Sequence, residues 1–322
     1  MTTVRLVANY KIPLERITPG GSGVWDGIQF VTEEVDRPDF LISFNYPDKP
    51  VVTHCPPEHC WAVIQEPPTF THNWLHTSHP GFSRLYSCHP ELKGGHRRLQ
   101  LPYLHWHFQQ TFDQLCSEQP PEKTKELSTI TSSLYWLPGH KARVDFLKQF
   151  QATYDFDWFG RGVRDIEDKW DGLAPYKYSF AFENYASDYY WTEKISDCFL
   201  SRTVPIYWGC PKIADFFPAD SMILVDPARP EEARRIVTEA MESDFYGRHL
   251  DQLEKARDLV LHHYHPLSFF SRQIKSHLNE GCCCQPSQQR IRPRTCPSGR
   301  VGLVLFYGRY LLEKSLSKPL WA

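Results

Sequence analysis

Side chains between residues 183 and 194 combine the chemical groups that proteins use to hold a phosphorylated ligand. Glu183 and Asn184 directly follow an apolar run, and Tyr190, Glu193 and Lys194 come shortly after. An ammonium group attracts phosphate, whereas carboxylates and amides form hydrogen bonds with the hydroxyl groups of a ligand. We therefore expect these side chains to share one binding site.

The elements around this segment predict where the site lies. Residues 176–182 form an apolar run typical of a strand, and residues 204–208 form a second run that Gly209 closes. Between them, Thr192 opens an amphipathic run typical of a helix. In an open α/β sheet, ligands bind outside the carboxyl ends of the strands, and anions favour helix N-termini. This order of elements places the polar side chains at such an edge.

The same segment resembles the donor-binding signature of the α-1,3/4-fucosyltransferase family. The matching residues are Phe182-Glu183-Asn184, Tyr190-Trp191-Thr192-Glu193-Lys194 and Val204-Pro205-Ile206-Tyr207-Trp208-Gly209. The resemblance is strong over residues 130–226, weaker over 1–125 and absent after 279. It implies a soluble, bacterial-type member that moves fucose from GDP-fucose to a hydroxyl group of a glycan acceptor with inversion.

The resemblance also implies a fold, namely α/β with two Rossmann-like domains that face a cleft, the GT-B type of glycosyltransferase. In that arrangement the first domain handles the acceptor and the second domain binds the donor. The alternation of strand-like and helical segments along both halves of the chain agrees with an α/β class.

Roles for individual residues follow from the resemblance. Glu66, which ends an apolar run before Pro67-Pro68, is the expected catalytic base. Lys194 and Arg143 are expected to balance the charge on the departing GDP. The other expected donor-binding residues are Glu183, Asn184, Tyr190 and Glu193. No cofactor and no metal ion are expected, because no Asp-x-Asp motif accompanies the signature.

Departures from the family pattern keep other functions open. Tyr185 stands where the family has Ser, Tyr189 stands where Asp is frequent, and Trp191 replaces a smaller apolar residue. These positions flank the expected donor pocket. The alternatives are a glycosyltransferase that uses another GDP-sugar, and a nucleotide- or glycan-binding protein without turnover.

Composition narrows the range of partners. The net charge of −2 provides no basic field for nucleic acid, and the 41% hydrophobic content excludes a disordered class. The first residues contain no long apolar core, so we expect a cytoplasmic protein, with peripheral contact to the inner face of a membrane as a further expectation. The 10 cysteines are expected to be reduced thiols, with a disulfide framework as the alternative.

A second alternative concerns metal binding in the first half of the chain. Residues 54–60 contain His54, Cys55, Glu58, His59 and Cys60, which are residue types that bind zinc. The segment has no paired Cys-x-x-Cys units, and Pro56-Pro57 constrains its geometry. A structural zinc site therefore stays the weaker interpretation.

Changes in composition predict three regions. Residues 1–125 form the acceptor-side domain and include a predicted helix at 27–34, and the polar segment 105–128 forms a linker. Residues 126–280 form the donor domain. Residues 281–322 form a basic and apolar tail, predicted to be disordered. Alternatively, the tail docks on a membrane surface through cationic residues, namely Arg300, Arg309, Lys314 and Lys318.

Overall fold

The first half of the chain builds a mostly parallel sheet. The computed structural model describes residues 1–69, 72–76, 81–92, 94, 97–133, 138–281 and 285–293. Strands β1 to β8 are Thr2–Val7, Val24–Trp25, Ile28–Val31, Phe40–Phe44, Val51–Cys55, Cys60–Val63, Arg84–Ser87 and Arg97–Leu99. Helices α1 and α2 are Leu14–Ile17 and Phe112–Ser117. The sheet has the order β2-β3-β1-β4-β6-β7-β8, and within it only the pair of β2 with β3 is antiparallel.

The predicted helix at residues 27–34 is wrong, because the structure has strand β3 there. Its residues alternate between buried and half-buried, which is the period of a strand. Asp26 and Gly27 both adopt positive φ angles, 52° and 78°, between paired strands β2 and β3. Two such residues form the tight turn of a hairpin, for which Asp-Gly is a favoured sequence.

The second half builds a fully parallel sheet with helices around it. Strands β9 to β13 are Lys125–Ile130, Asp157–Phe159, Tyr176–Phe182, Val204–Trp208 and Ile223–Leu224. Their order is β10-β9-β11-β12-β13. Helices α3 to α7 are Pro138–Gln151, Glu193–Leu200, Pro230–Glu242, Phe245–Arg248 and Leu250–Asp258. Because parallel sheets are covered on both faces, β11 and β12 are almost entirely buried.

The end of the described chain returns to the first sheet. Helix α8, Pro266–Asn279, places the Phe270 ring against Phe44 and Tyr86, and Phe269 stacks on Tyr103 with ring centroids 3.8 Å apart. The first half supplies few long helices of its own, so α8 covers apolar sheet surface that local sequence leaves open. The chain therefore rejoins the first domain before residue 280, the predicted end of the donor domain.

Part of the predicted tail is a strand. Strand β14, Ser287–Ile291, pairs antiparallel with β5, and Ile291 is buried in the core of the first domain. Residues 294–322, which include the cationic residues of the membrane-docking hypothesis, lie outside the described residues. In the part of the chain that the structure describes, no helix is both long and apolar enough to cross a bilayer.

Residues 54–60, the candidate zinc site, pack into the core of the first domain. Among the described residues they form no cluster that could hold a metal ion. The imidazole of His59 stacks on Phe40 and its Nδ1 lies 2.8 Å from the Asp39 carbonyl, while Cys55 and Cys60 are buried in the same core. Both Cys55 and Cys60 are free thiols.

Two parallel α/β sheets joined by a crossing helix confirm the predicted fold class, two Rossmann-like domains of the GT-B type.

Candidate active site

The end of strand β11 is fastened to the start of helix α4. Thr192 caps the helix, since its hydroxyl accepts a hydrogen bond from the Lys194 amide. Its own amide and hydroxyl donate to the two oxygens of Glu183, at 2.7 and 2.8 Å. Glu183 is fully buried. The structure therefore places Glu183 behind the expected donor surface, as a support for the helix terminus rather than as a direct donor contact.

Strand β12 approaches this support closely where it ends. A Cβ atom at Gly209 would lie 2.4 Å from Cγ of Glu183 and 2.7 Å from the Tyr207 hydroxyl. Non-bonded heavy atoms do not come this close unless the neighbouring atoms move. Only glycine therefore fits at this position. The glycine that closes the signature thus allows the Glu183 side chain to reach Thr192.

Lys194 lies between two carboxylates on the first turn of α4. Its Nζ atom is 3.4 Å from Oε2 of Glu183 and 3.4 Å from Oε1 of Glu193. Burial lowers the pKa of Lys194, but Glu193 and Glu183 outweigh that effect and hold the pKa above its ordinary value. The side chain remains 22% exposed. The result is a fixed cation, at a helix N-terminus, that a ligand can reach.

Arg143, on helix α3, provides a second cation near the same strand end. Its Nη1 atom donates to Oδ1 of Asn184 at 2.8 Å and to the Phe182 carbonyl at 3.4 Å. Burial lowers its pKa to about 10, although Glu183 and Glu193 act in the opposite direction. Among the described residues, Nε of Arg143 has no hydrogen-bond partner although it is buried. The guanidinium therefore keeps unused donor capacity beside the site.

Glu193 is surrounded by cations. Burial raises its pKa, but Lys194, Lys169 and His107 together hold the pKa well below its ordinary value. Lys169 and His107 lie outside the signature segment and have no diagnostic spacing, so the sequence does not mark them as residues of this site. His107 belongs to the predicted linker, and only tertiary folding brings it to helix α4.

Tyr190 and Glu66 belong to different halves of the chain, and they interact electrostatically. Tyr190 is buried, and its pKa is raised well above the ordinary value by burial, with smaller effects from Glu183, Glu193 and Glu66. Glu66 is half-exposed, and its Oε2 atom lies 4.0 Å from Nδ1 of His72. A carboxylate of the first domain thus acts electrostatically on the donor-side segment.

An open pocket of about 570 Å³ is lined by Pro68, two residues after Glu66 in the chain. Its lining combines both domains and consists of Pro68, Asn73, Trp74, His89, Pro90, Glu91 and Tyr185. The ring of Tyr185 also contacts that of Tyr190 edge-on, with centroids 5.9 Å apart. Of the residues that depart from the family pattern, Tyr185 therefore lines this pocket, whereas Trp191 packs against Phe217 and contributes to the core.

The structure brings most predicted site residues together. Arg143, Asn184, Glu193 and Lys194 converge at the carboxyl end of β11, with Glu183 beneath them and Tyr190 beside them. Glu66 approaches from the first domain. The roles that the sequence assigns to these residues stay predictions, and the convergence defines the place where they would act.

Comparisons with known proteins show what this chain is similar to. Residues 120–270 match the profile of the C-terminal region of glycosyltransferase family 10 (fucosyltransferase). Over 61 residues the chain is 41% identical to an α-(1,3)-fucosyltransferase of Helicobacter pylori, which is 19% of this chain and 13% of that protein. Over 54 residues it is 48% identical to GDP-fucose protein O-fucosyltransferase 3 of Bos taurus, which is 16% of this chain and 11% of that protein.

A solved structure of an α1,3-fucosyltransferase with GDP aligns over 80% of this chain and 82% of that chain, with a TM-score of 0.47 and 17% identity. The chain thus matches only a small part of the curated relatives' length, while the structural alignment is broader. The two sheets give the chain the predicted α/β fold of the GT-B type. The match to glycosyltransferase family 10, the fucosyltransferase family, covers residues 120–270, which include the second sheet.

Proposed function

We propose that the protein transfers fucose from GDP-fucose to a hydroxyl group of a glycan acceptor, with inversion at the sugar carbon. The observation that carries the proposal is the pair of cations at the carboxyl end of β11. Lys194 and Arg143 reach this edge from two different helices and lie beside Asn184 and Glu193. A diphosphate needs two or more such donors, and the N-terminus of α4 adds the favourable end of its dipole.

In the proposed reaction, the acceptor oxygen forms a bond to the anomeric carbon while the bond from that carbon to GDP breaks. Glu66 accepts the proton of the attacking hydroxyl group. Lys194 and Arg143 stabilise the negative charge that develops on the leaving diphosphate. Attack from the side opposite to GDP inverts the configuration, and the two domains supply the groups for opposite sides of the sugar.

The pocket lined by Pro68 fits the acceptor in this scheme. The rings of Trp74 and Tyr185 offer flat apolar surfaces for a sugar ring, and the side chains of Asn73, His89 and Glu91 offer hydrogen-bonding groups. Pro68 follows Glu66 closely in the chain and lines the same pocket. An acceptor bound there would present a hydroxyl group to the proposed base.

Calorimetric titration of GDP, UDP and GDP-fucose into the protein tests the proposal without knowledge of the acceptor. We expect binding of GDP and GDP-fucose in preference to UDP, and loss of most of that affinity in the Lys194→Ala variant. Lys177→Ala is the matched control. Nζ of Lys177 lies 3.2 Å from Oε2 of Glu126, away from the pair of cations at the carboxyl end of β11. No binding of GDP, or a preference for UDP, would overturn the assignment of the donor.

A further inference from the structure

Helix α4 carries a second buried carboxylate directly behind the donor site. Glu193 and Asp197 are four residues apart, so they lie on the same face of the helix, one turn apart. The Asp197 side chain is only 3% exposed. A carboxylate in such a place needs polar partners, because leaving it unpaired is costly.

Two residues from outside the helix each contact both carboxylates. Nζ of Lys169 lies 3.4 Å from Oδ2 of Asp197 and 3.8 Å from Oε1 of Glu193. The His107 amide donates to Oδ1 of Asp197 at 3.3 Å, and its ring Nδ1 lies 3.9 Å from Oε1 of Glu193. Together with Lys194, three nitrogen atoms approach the same oxygen of Glu193. The direction of that carboxylate is therefore set by its surroundings.

The positions of these two residues are themselves fixed. Asp168 caps the short helix Lys169–Gly172 by accepting from the Trp170 amide at 3.0 Å. Its other oxygen accepts from the Gln109 amide at 3.1 Å, two residues beyond His107. The segment that joins the two domains is thus bonded to the donor domain at two successive points.

We propose that His107 and Lys169 are positioning residues for the donor, which hold Oε1 of Glu193 so that Oε2 accepts hydrogen bonds from the ribose hydroxyl groups. The inference rests on the proposed function, since it assumes a GDP-linked donor at this site. It assigns to the interdomain segment a part in nucleotide binding. In this arrangement the neighbouring nitrogen groups balance the charge on one carboxylate oxygen. The other oxygen accepts hydrogen bonds from a pair of hydroxyl groups.

The test compares two nucleotides that differ only in those hydroxyl groups, GDP and 2′,3′-dideoxy-GDP. For each variant the ratio of the two dissociation constants measures the ribose contact alone. We expect the unchanged protein to prefer GDP by at least about tenfold, the size of a hydrogen bond to a charged group. In His107→Ala and in Lys169→Met the ratio should fall at least about threefold, toward that of Glu193→Gln. Lys169→Arg should restore it.

Loss of a purely structural contact would weaken both nucleotides equally and leave the ratio unchanged, and that result would overturn the inference. Lys177→Met serves as the control that keeps the ratio. If Lys169→Met does not fold, the Lys169→Met/Asp197→Asn double variant, which also removes the buried charge, gives the same comparison. Equal binding of both nucleotides by the unchanged protein overturns this inference alone, whereas absence of GDP binding overturns the proposed function as well.

Discussion

At the scale of single residues, neighbouring groups distinguish two buried acidic side chains that the sequence treats alike. Glu183 and Glu193 both belong to the signature, yet Glu183 has no exposed surface and is engaged by Thr192. Burial raises the pKa of Glu183, while the cations around Glu193 lower its pKa. The cations around Glu193 thus favour its charged form, and Glu183 is the carboxylate that holds the helix terminus in place.

Replacement of the proposed base gives the first residue-scale prediction. Glu66→Gln should leave the affinity for GDP unchanged, because Glu66 lies on the first domain and half of its side chain is exposed. Turnover should fall by about 10²-fold or more, since the amide cannot accept the proton. Steady-state kinetics combined with calorimetry checks both parts. A variant with normal turnover would exclude Glu66 as the base.

A second prediction concerns the pH dependence of stability through Asp197. Burial raises the pKa of Asp197 to about 7, and Glu193 adds to this, while Lys169 and the His107 amide oppose it. In the unfolded chain the pKa returns to about 3.9, so the folded state binds the proton more tightly. The stabilisation by the protonated form is complete below about pH 4 and is lost as the pH rises through about 7.

Asp197→Asn should therefore become more stable relative to the unchanged protein as the pH rises from 5 to 8. The difference should grow by at most about 1.4 kcal/mol per pH unit. Urea unfolding of both proteins at each pH unit measures it. Parallel stability profiles of the two proteins would show that Asp197 does not titrate in this range.

At the scale of elements, the site depends on how two adjacent parallel strands end. Strand β11 delivers Glu183 and Asn184, and β12 ends at a glycine that lies against the Glu183 side chain. Helix α4 then starts at the Thr192 cap, and its first turn carries Glu193 and Lys194. The geometry around Lys194 is thus a property of the strand–helix junction rather than of any one loop.

Gly209→Ala tests this junction. The added methyl group would overlap Cγ and Cβ of Glu183, so the carboxylate must move away from Thr192. We expect a loss of about 1–3 kcal/mol in the free energy of unfolding, together with weaker GDP binding. Urea unfolding and calorimetry measure the two effects. Unchanged values of both would mean that Glu183 does not support the helix terminus.

At the scale of the whole molecule, helix α8 links the two domains. Helix α8 follows the donor domain in the chain but packs on the first sheet through Phe269 and Phe270. Strand β14 then extends the same attachment by pairing with β5. The chain therefore passes between the two domains at the interdomain segment and again at α8.

Phe270→Ala measures the strength of that attachment. The ring is fully buried between Phe44 and Tyr86, so its removal should cost about 3–5 kcal/mol of unfolding free energy. Leu278→Ala is the control on the same helix, since Leu278 is 44% exposed and should change stability by less than about 0.5 kcal/mol. Urea unfolding compares the two variants. Equal effects would mean that α8 does not contribute to the core of the first domain.

The sequence by itself determined the local features of this protein. Apolar runs, a helix cap and the spacing from Phe182 to Gly209 located the donor-side segment, because these signals act between residues close in the chain. These signals wrongly predict a helix at residues 27–34, where Asp26-Gly27 instead forms a hairpin turn.

Tertiary structure alone decided which side chains meet across long sequence separations. His107 and Lys169 reach Glu193 from other parts of the chain, and helix α8 returns to the first sheet. The cations that distinguish Glu193 from Glu183 likewise come from distant parts of the chain. Periodicity reports only the face that a residue occupies, whereas pKa values and ion pairs depend on distances that the whole fold sets.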